Sequence, residues 1–457
     1  MPPLPDRPTF PRPRDLWSSR AGFILATTGA AVGLGNVWRF PYITGENGGG
    51  AFVLVYLACV CLVGVPLMMA ELFIGRRGAS SPSASFRALA LEAGQSLHWQ
   101  VVGTLGVAVS FLILTFYSVI GGWTIAFLVR SIGPGFEGLA GSGGPQQFDL
   151  FMSSPLEMIF WHTVFMAISV AVVLRGVAHG IERLATYLMP CLLLILLILF
   201  AYSTTTPGFG QGLSFMFSFN SSRLTTGGVV IALGHAFFSL ALAQSVIVAF
   251  GAHLPRNVSL TQASFTISIL DTLVALVVGV VIFSIVFTSG LEISSGPGLI
   301  FQSLPVAFGN MPYGHAFGIA FFIMLVLAAW TSSVGLLVPP IEQLEVRYGV
   351  SRARGTTLVA VTAWLIGILC ALSFNSLADF RPIGGRTIYG MLDFLTSGIM
   401  MPVTGLLIAV FAGWVVSGNV AADELRIGRP GLLRAWRFLV RYVIPVTIMV
   451  ILVNGVI

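Results

Sequence analysis

Residues 29–41 read GAAVGLGNVWRFP and sit inside an apolar run that begins near Ala21. An ordinary spanning helix does not combine so much glycine with an asparagine and an arginine. Gly29, Gly33 and Gly35 remove side chains and loosen the helix, while Asn36 brings an amide and Arg39 a full charge to membrane depth. Backbone that leaves the helix at that depth survives only where protein buries it or where it lines a cavity. The stretch therefore predicts a broken transmembrane helix with a binding site at the break. The competing reading is a glycine-rich packing face, since small residues let helices approach closely. Asn36, Arg39 and Pro41 so close together favour the break.

Composition sets the surroundings of that break. Of 457 residues, 56% are hydrophobic and 9% charged, with a mean hydropathy of +0.93, which excludes a soluble protein. A span takes ~20 apolar residues, and about eleven segments have that character. The 35 Phe and 9 Trp suit lipid-facing and interfacial positions, where aromatic rings are favoured. The net charge of +6 comes from arginine alone, because the chain has no lysine. These arginines fall in short loops rather than on one soluble face, so membrane topology accounts for them and a nucleic-acid partner does not. Cys59, Cys61, Cys191 and Cys370 lie in apolar runs without metal-ligand spacing to His and read as small core residues, with no disulfide framework. No apolar stretch precedes Leu16, so no cleavable signal peptide is expected.

A flexible, proline-rich cytoplasmic tail is expected over residues 1–16. Spans are expected near 17–44 through the break, 51–74, 101–130, 156–174, 184–203, 225–252, 260–288, 315–345, 356–374, 387–416 and 433–455. Residues 131–154 and 204–224 read as polar loops, those after Arg77 as a loop with a short amphipathic helix, and 289–314 as a connection able to hold a re-entrant helix pair. With the N-terminus cytoplasmic, eighteen arginines fall on the inner side, and only Arg130, Arg223, Arg381 and Arg386 on the outer. That bias places the N-terminus inside and the C-terminus outside a plasma (inner) membrane.

Span six carries a second interruption, HAFFSLALAQS at 235–245, which puts His235, Ser239, Gln244 and Ser245 into a membrane run. Two five-span units, 17–204 and 223–416, each opening on a broken helix, then make an inverted-topology repeat, with 433–455 as an eleventh span outside it. An odd number of spans per unit is what inverts the second. The expected fold is thus an all-α polytopic membrane protein of about eleven transmembrane helices, two inverted five-helix repeats and broken helices one and six, with solute and coupling ion at the midplane.

The residues also match a known family. AVGLGNVWRFPYITGENGGGAF (31–52), GVPLMMAELFIGRRG (64–78), HAFFSL (235–240), LDTLVALVVG (270–279), GPGLIF (296–301) and WTSSVGLLVPPIEQL (330–344) resemble the neurotransmitter:sodium symporters, especially bacterial amino-acid transporters of the eleven-span type. That family is itself the type example of broken midplane helices, so the repeat is not a reading independent of the resemblance.

What the resemblance implies is specific. One sodium site would use the carbonyls of Gly29, Val32 and Ala328 with the hydroxyls of Thr331 and Ser332. The competing reading of the TSS hydroxyls is a bond back to a carbonyl one turn earlier. A second site would use the Ala31 carbonyl, Asn36, Ser239 and Asp271, where some members have asparagine, together with the substrate carboxylate. A carboxylate in so apolar a run costs ~2.5–3.5 kcal/mol to insert and needs a partner; a structural ion pair is the alternative. An amino-acid carboxylate would meet the amides near Leu34 and Gly35 and the Tyr117 hydroxyl, and its amino group the carbonyls of Ala31, Phe238, Ser239 and Ala241. Ile113, Phe238, Ala241, Gln244, Ser332 and Leu336 would line the side-chain pocket, with Gln244 where the family often has an apolar residue. Monoamine carriers have aspartate at the Gly33 position, so Gly33 implies a substrate that brings its own carboxylate.

Arg39 and Asp393 would form an outer gate over a lid of Tyr117 and Phe238, and Arg14 and Trp17 an inner latch. The usual aspartate partner of that latch aligns with Val346, leaving Glu345 as a substitute. Glu71 is expected to accept backbone amides freed by the breaks. Chloride is not expected, since the serine that helps to hold it in chloride-dependent members aligns with Ala275, while Asp271 supplies a fixed charge one turn earlier. The function implied is sodium-coupled import of an amino acid by alternating access, with proton return from Asp271 conceivable. Alternatives are a proton-coupled or exchange permease of the same fold and a non-transporting membrane sensor. An enzyme is not expected, because the spans lack a His cluster, paired catalytic carboxylates or a GxSxG element.

Overall fold

The computed structural model describes residues 16–133, 136, 138, 143–219, 224–291, 296 and 298–456. The tail with Arg14, as well as Arg223, lies outside the described residues. The described chain is all-helical, with one isolated bridge between Ile383 and Arg386. In order it forms α1 Arg20–Ala31, α2 Gly35–Glu46, α3 Gly50–Gly78, α4 Pro82–Glu92, α5 Leu97–Ile132, α6 Gly143–Met152, α7 Pro155–Val173, α8 Val177–Thr204, α9 Phe209–Phe217, α10 Thr226–Ser239, α11 Val246–Ala252, α12 Leu260–Thr288, α13 Leu304–Asn310, α14 Gly314–Tyr348, α15 Arg352–Leu372, α16 Ile388–Val415, α17 Gly418–Leu425 and α18 Pro430–Phe438. The last continues through Leu439–Val443 into Ile444–Val456. Eight of these helices are long and apolar enough to cross a bilayer, or nine when α1 and α2, bent by 51° at their break, count as one span. At 14 residues α10 is shorter.

Helix starts follow local chemistry. Ser19, Thr225, Ser259, Thr387 and Ser417 each accept the amide three residues on, satisfying a donor with no partner inside the helix. At the end of α3, Arg76 donates to Glu424 of α17 at 2.8 Å, while Arg77 pairs with Glu92 of α4 and with Asp423 at 3.0 Å. These ties hold α3, α4 and α17 together at one end of the bundle.

Several expectations need correction. Residues 143–152 and 209–217 are helical rather than loop, and 418–425 adds a short helix between the last two expected spans. In the described part of 289–314 there is one short helix, α13, entered through a wide turn at Leu299–Ser303. Many aromatics are not lipid-facing. Trp123 of α5 is buried, with its ring 5.1–6.3 Å from those of Phe148, Phe151, Phe301 and Phe374, so the apolar faces of α6 and the Leu299–Ser303 turn clamp onto α5. Phe215 of α9 packs on Phe283 and Phe287 of α12 in the same way. Of the cysteines only Cys370 is buried; Cys61 and Cys191 face outward, and all four are free thiols.

Candidate functional site at two helix breaks

The first break falls at Val32–Leu34, between α1 and α2. Inside it the Asn36 side chain folds back, its Oδ1 accepting the Gly33 amide at 3.2 Å. The second break runs from Leu240 to Ser245, and Ala241, Ala243 and Ser245 have left-handed φ of 51°, 61° and 59°. Such conformations cost ~1–3 kcal/mol each and persist only where the surroundings impose them. Glu71 of α3 accepts the Ala243 amide at 2.7 Å, the Ser110 hydroxyl of α5 donates to the Gln244 carbonyl, and the Ser245 hydroxyl donates to the Gly103 carbonyl at 3.3 Å. The break is therefore held from α3 on one side and from α5 on the other.

Between the breaks, Asn36, Ser239 and Asp271 are fully buried and share one network. The Asn36 amide donates to Asp271 Oδ1 at 2.8 Å and to Ser239 Oγ at 3.2 Å. The Ser239 hydroxyl donates to Asp271 Oδ2 at 2.6 Å, and Tyr56 donates to Ser239 at 3.3 Å. Asp271 thus has polar partners on both oxygens rather than an ion pair. His235, one turn before Ser239, packs its ring against Phe40 and Tyr56.

A second oxygen cluster joins α1 to α14. The Ser332 hydroxyl donates to the carbonyls of Gly29 at 3.2 Å and Val32 at 3.3 Å. Thr331 donates back to Leu327 at 3.0 Å and Ala328 at 3.2 Å, the local bond of a membrane helix. A Cβ built on Gly29 would lie 3.2 Å from the Thr331 Cβ, so the two chains touch there.

Ala31, Leu34, Gly35, Ile113, Tyr117, Phe238, Ala241, Gln244, Ser332 and Leu336 line one narrow cavity, together with Ala30 and Gly33. Ser239 does not line it; its side chain points into the Asp271 network instead. The Leu34 amide donates to the Tyr117 hydroxyl at 3.2 Å, leaving that O–H hydrogen to turn elsewhere. A second cavity of about 450 Å³ lies next to the first and includes Arg39, Tyr42, Tyr389 and Asp393. Tyr117 and Phe238 border both, which makes them the partition. Arg39 sits 5.0 Å over the Phe238 ring, a cation–π contact. Among the described residues no ion pair joins it to Asp393, whose Oδ1 accepts Ser397 at 3.2 Å.

At the other end of α1, Trp17 is buried and donates its indole N–H to the Phe250 carbonyl at 2.9 Å and its amide to the His253 carbonyl at 3.2 Å. His253 meets Glu342 at 2.7 Å, and Glu345 meets Arg352 at 3.5 Å. Glu182 was not foreseen. Its carboxylate accepts the amides and hydroxyls of both Ser18 and Ser19 at 2.7–3.1 Å, fastening the start of α1 to the start of α8. A lone acid in the basic connection RGVAHGIER is the only signal that pointed to it.

An all-helical bundle with two unwound helices meeting at buried oxygen clusters beside a small cavity has the build of a membrane transporter. The model of the sodium:neurotransmitter symporter family matches residues 14–136 and 153–457, and the chain belongs to that family. It is 34% identical to an uncharacterised sodium-dependent transporter, YhdH, of Bacillus subtilis (strain 168), over 96% of this chain and 97% of the relative. Identity to the sodium-dependent dopamine transporter of Bos taurus is 26%, over 98% of this chain and 70% of that one. The crystal structure of MhsT in complex with L-phenylalanine superposes with a TM-score of 0.90 at 38% identity, covering 97% of this chain and all of that one.

Proposed function

We propose that this transporter imports an amino acid with sodium by alternating access, the substrate lying in the cavity between Tyr117, Gly33 and Gln244. The observation that carries the reading is the space at Gly33. A Cβ there would come 2.4 Å from the Ser332 hydroxyl and 2.7 Å from the Tyr117 hydroxyl, so these two hydroxyls close over the bare backbone and the protein offers no side-chain carboxylate at that point. A substrate amine then has to bring its own carboxylate, which would take the amides near Leu34 and Gly35 and the Tyr117 hydroxyl in place of the bond between Leu34 and Tyr117. The L-phenylalanine bound by MhsT supports the same class. Sodium is a co-substrate. The Ser332 cluster with Gly29, Val32, Ala328 and Thr331 supplies neutral oxygens for one ion; Asn36, Ser239, the Ala31 carbonyl and Asp271 supply another set that includes a charge.

In this reading Arg39 and Asp393 close the outer cavity over Phe238 and Tyr117, and Trp17, with Arg14 beyond the described residues, closes the inner end. Eleven spans in two inverted repeats, 17–204 and 223–416, and an N-terminus on the cytoplasmic side of the plasma (inner) membrane belong to the same proposal, as does independence from chloride. Proton-coupled exchange on the same fold is the second reading. The buried Asp271 carboxylate, held only by neutral donors, favours it. Proteoliposomes decide between them. Uptake of a labelled amino acid mixture should require an inward sodium gradient and be competed by a subset of common amino acids. Equal uptake in potassium-only medium would overturn sodium coupling.

A further inference from the structure

The turn between α7 and α8 carries a second site, remote from the helix breaks. Gly176 takes a left-handed φ of 86°, and the chain doubles back so closely that a Cβ on Gly180 would lie 3.2 Å from the Arg175 Cβ. That return brings Arg175, His179 and Arg183 onto one open cavity of about 190 Å³, continued along α8 by Leu184, Tyr187 and Leu188. All three nitrogen-bearing side chains are exposed, and among the described residues none pairs with a carboxylate. Glu182, the one acid in the turn, faces away and is occupied by Ser18 and Ser19.

The apolar side of the cavity does not end at Leu188. Along α8, Tyr187 is 68% exposed, Leu194 59% and Leu197 62%, so a continuous greasy face runs from the basic cluster down the helix. Only 28% of the apolar window of α8 is buried inside the protein, the lowest share among the spanning helices. Two guanidinium forks at the head of such a track match a phosphodiester, which each can contact in bidentate fashion. The Tyr187 phenol suits the headgroup level, where amphipathic rings settle. A free phosphate would satisfy the arginines but make no use of the apolar run. We infer that this pocket binds an anionic phospholipid, with Arg175, His179 and Arg183 on its phosphate and Tyr187, Leu194 and Leu197 along an acyl chain. Basic pockets at the ends of membrane helices take headgroups in this manner.

The test uses the purified full-length chain in detergent, titrated with phosphatidylglycerol or phosphatidylcholine, with retained lipid read by native mass spectrometry. Arg175→Gln combined with Arg183→Gln should lower phosphatidylglycerol retention by about tenfold or more, as loss of two phosphate contacts implies, and lower the retention of phosphatidylcholine, whose choline already offsets the phosphate charge, by much less. Arg434→Gln, an exposed basic site elsewhere, should retain phosphatidylglycerol like the unaltered chain. Equal retention in the double variant would overturn the site. Complete displacement by inorganic phosphate at millimolar concentration would overturn the lipid assignment. Lipid retention is read without transport, so its outcome is independent of the substrate and ion proposed above.

Discussion

Asn36 donates its amide to Asp271 twice over, to the carboxylate at 2.8 Å and to the backbone carbonyl at 3.0 Å. The start of α2, just past the first break, is thereby tied to the Asp271 side chain on α12. In the transport reading proposed above, two sodium ions and a zwitterion at the midplane would carry excess positive charge, and burying it uncompensated is unfavourable. On that proposal Asp271 would offset one of those charges in place of a mobile anion.

The first prediction follows from that charge. Replacing chloride by gluconate at fixed sodium should leave initial uptake in proteoliposomes as it is. Ala275 lies four residues on, one turn away and fully buried. Asp271→Asn together with Ala275→Ser should therefore make uptake chloride-stimulated. A large loss of uptake in gluconate with the unaltered chain defeats the proposal.

Thr331 tests the other cluster. Its hydroxyl makes only local bonds to Leu327 and Ala328, so Thr331→Val keeps the shape of α14 and removes one oxygen. The sodium concentration for half-maximal uptake should rise by up to about tenfold, the equivalent of ~1.4 kcal/mol. An unaltered sodium dependence would assign Thr331 a purely structural role.

Selectivity should depend on Gln244, which lines the small cavity and otherwise reaches only the Met401 sulfur at 4.0 Å. Gln244→Leu should shift preference toward apolar side chains by about tenfold or more, since unpaired polar groups are discriminated strongly, with sodium dependence retained. Competition profiles of the two proteins measure it, and identical profiles would place Gln244 outside the subsite.

Glu182→Ala should loosen the start of α1. Four donors on Ser18 and Ser19, both exposed, exchange the carboxylate for water, so each lost bond costs only the net ~0.5–1.5 kcal/mol of a hydrogen bond. Hydrogen exchange at residues 18–23 should accelerate and the thermal midpoint fall, while Glu182→Gln should restore part of both. Unchanged exchange in the alanine variant would show that Trp17 alone holds this end.

Much of this was legible because glycine and asparagine in an apolar run have few explanations. Gly33 and Asn36 announced the bend of 51° between α1 and α2, and Glu71, a carboxylate amid apolar residues, announced a freed amide that turned out to be that of Ala243. What stayed hidden depends on long-range partners. Phe148 and Phe301 read as greasy residues beside loops until Trp123 gathers them from distant parts of the chain. The helix at 143–152 opens on Gly143, Gly144 and Pro145, which read as turn formers, and its apolar face is stabilised only once it meets α5. Glu182 looked like loop charge because Ser18 and Ser19 lie more than 160 residues earlier.

The second break has one more consequence. Ala241, Ala243 and Ser245 occupy backbone wells that glycine would enter more easily. A joint made of glycine would be loose, sampling many angles and losing entropy whenever it is fixed. Alanine and serine held in left-handed wells, with Glu71 and Ser110 as clamps, leave few alternatives. The joint between α10 and α11 is a rigid elbow, and opening one end of the transporter would swing whole helices about it rather than bend the elbow itself.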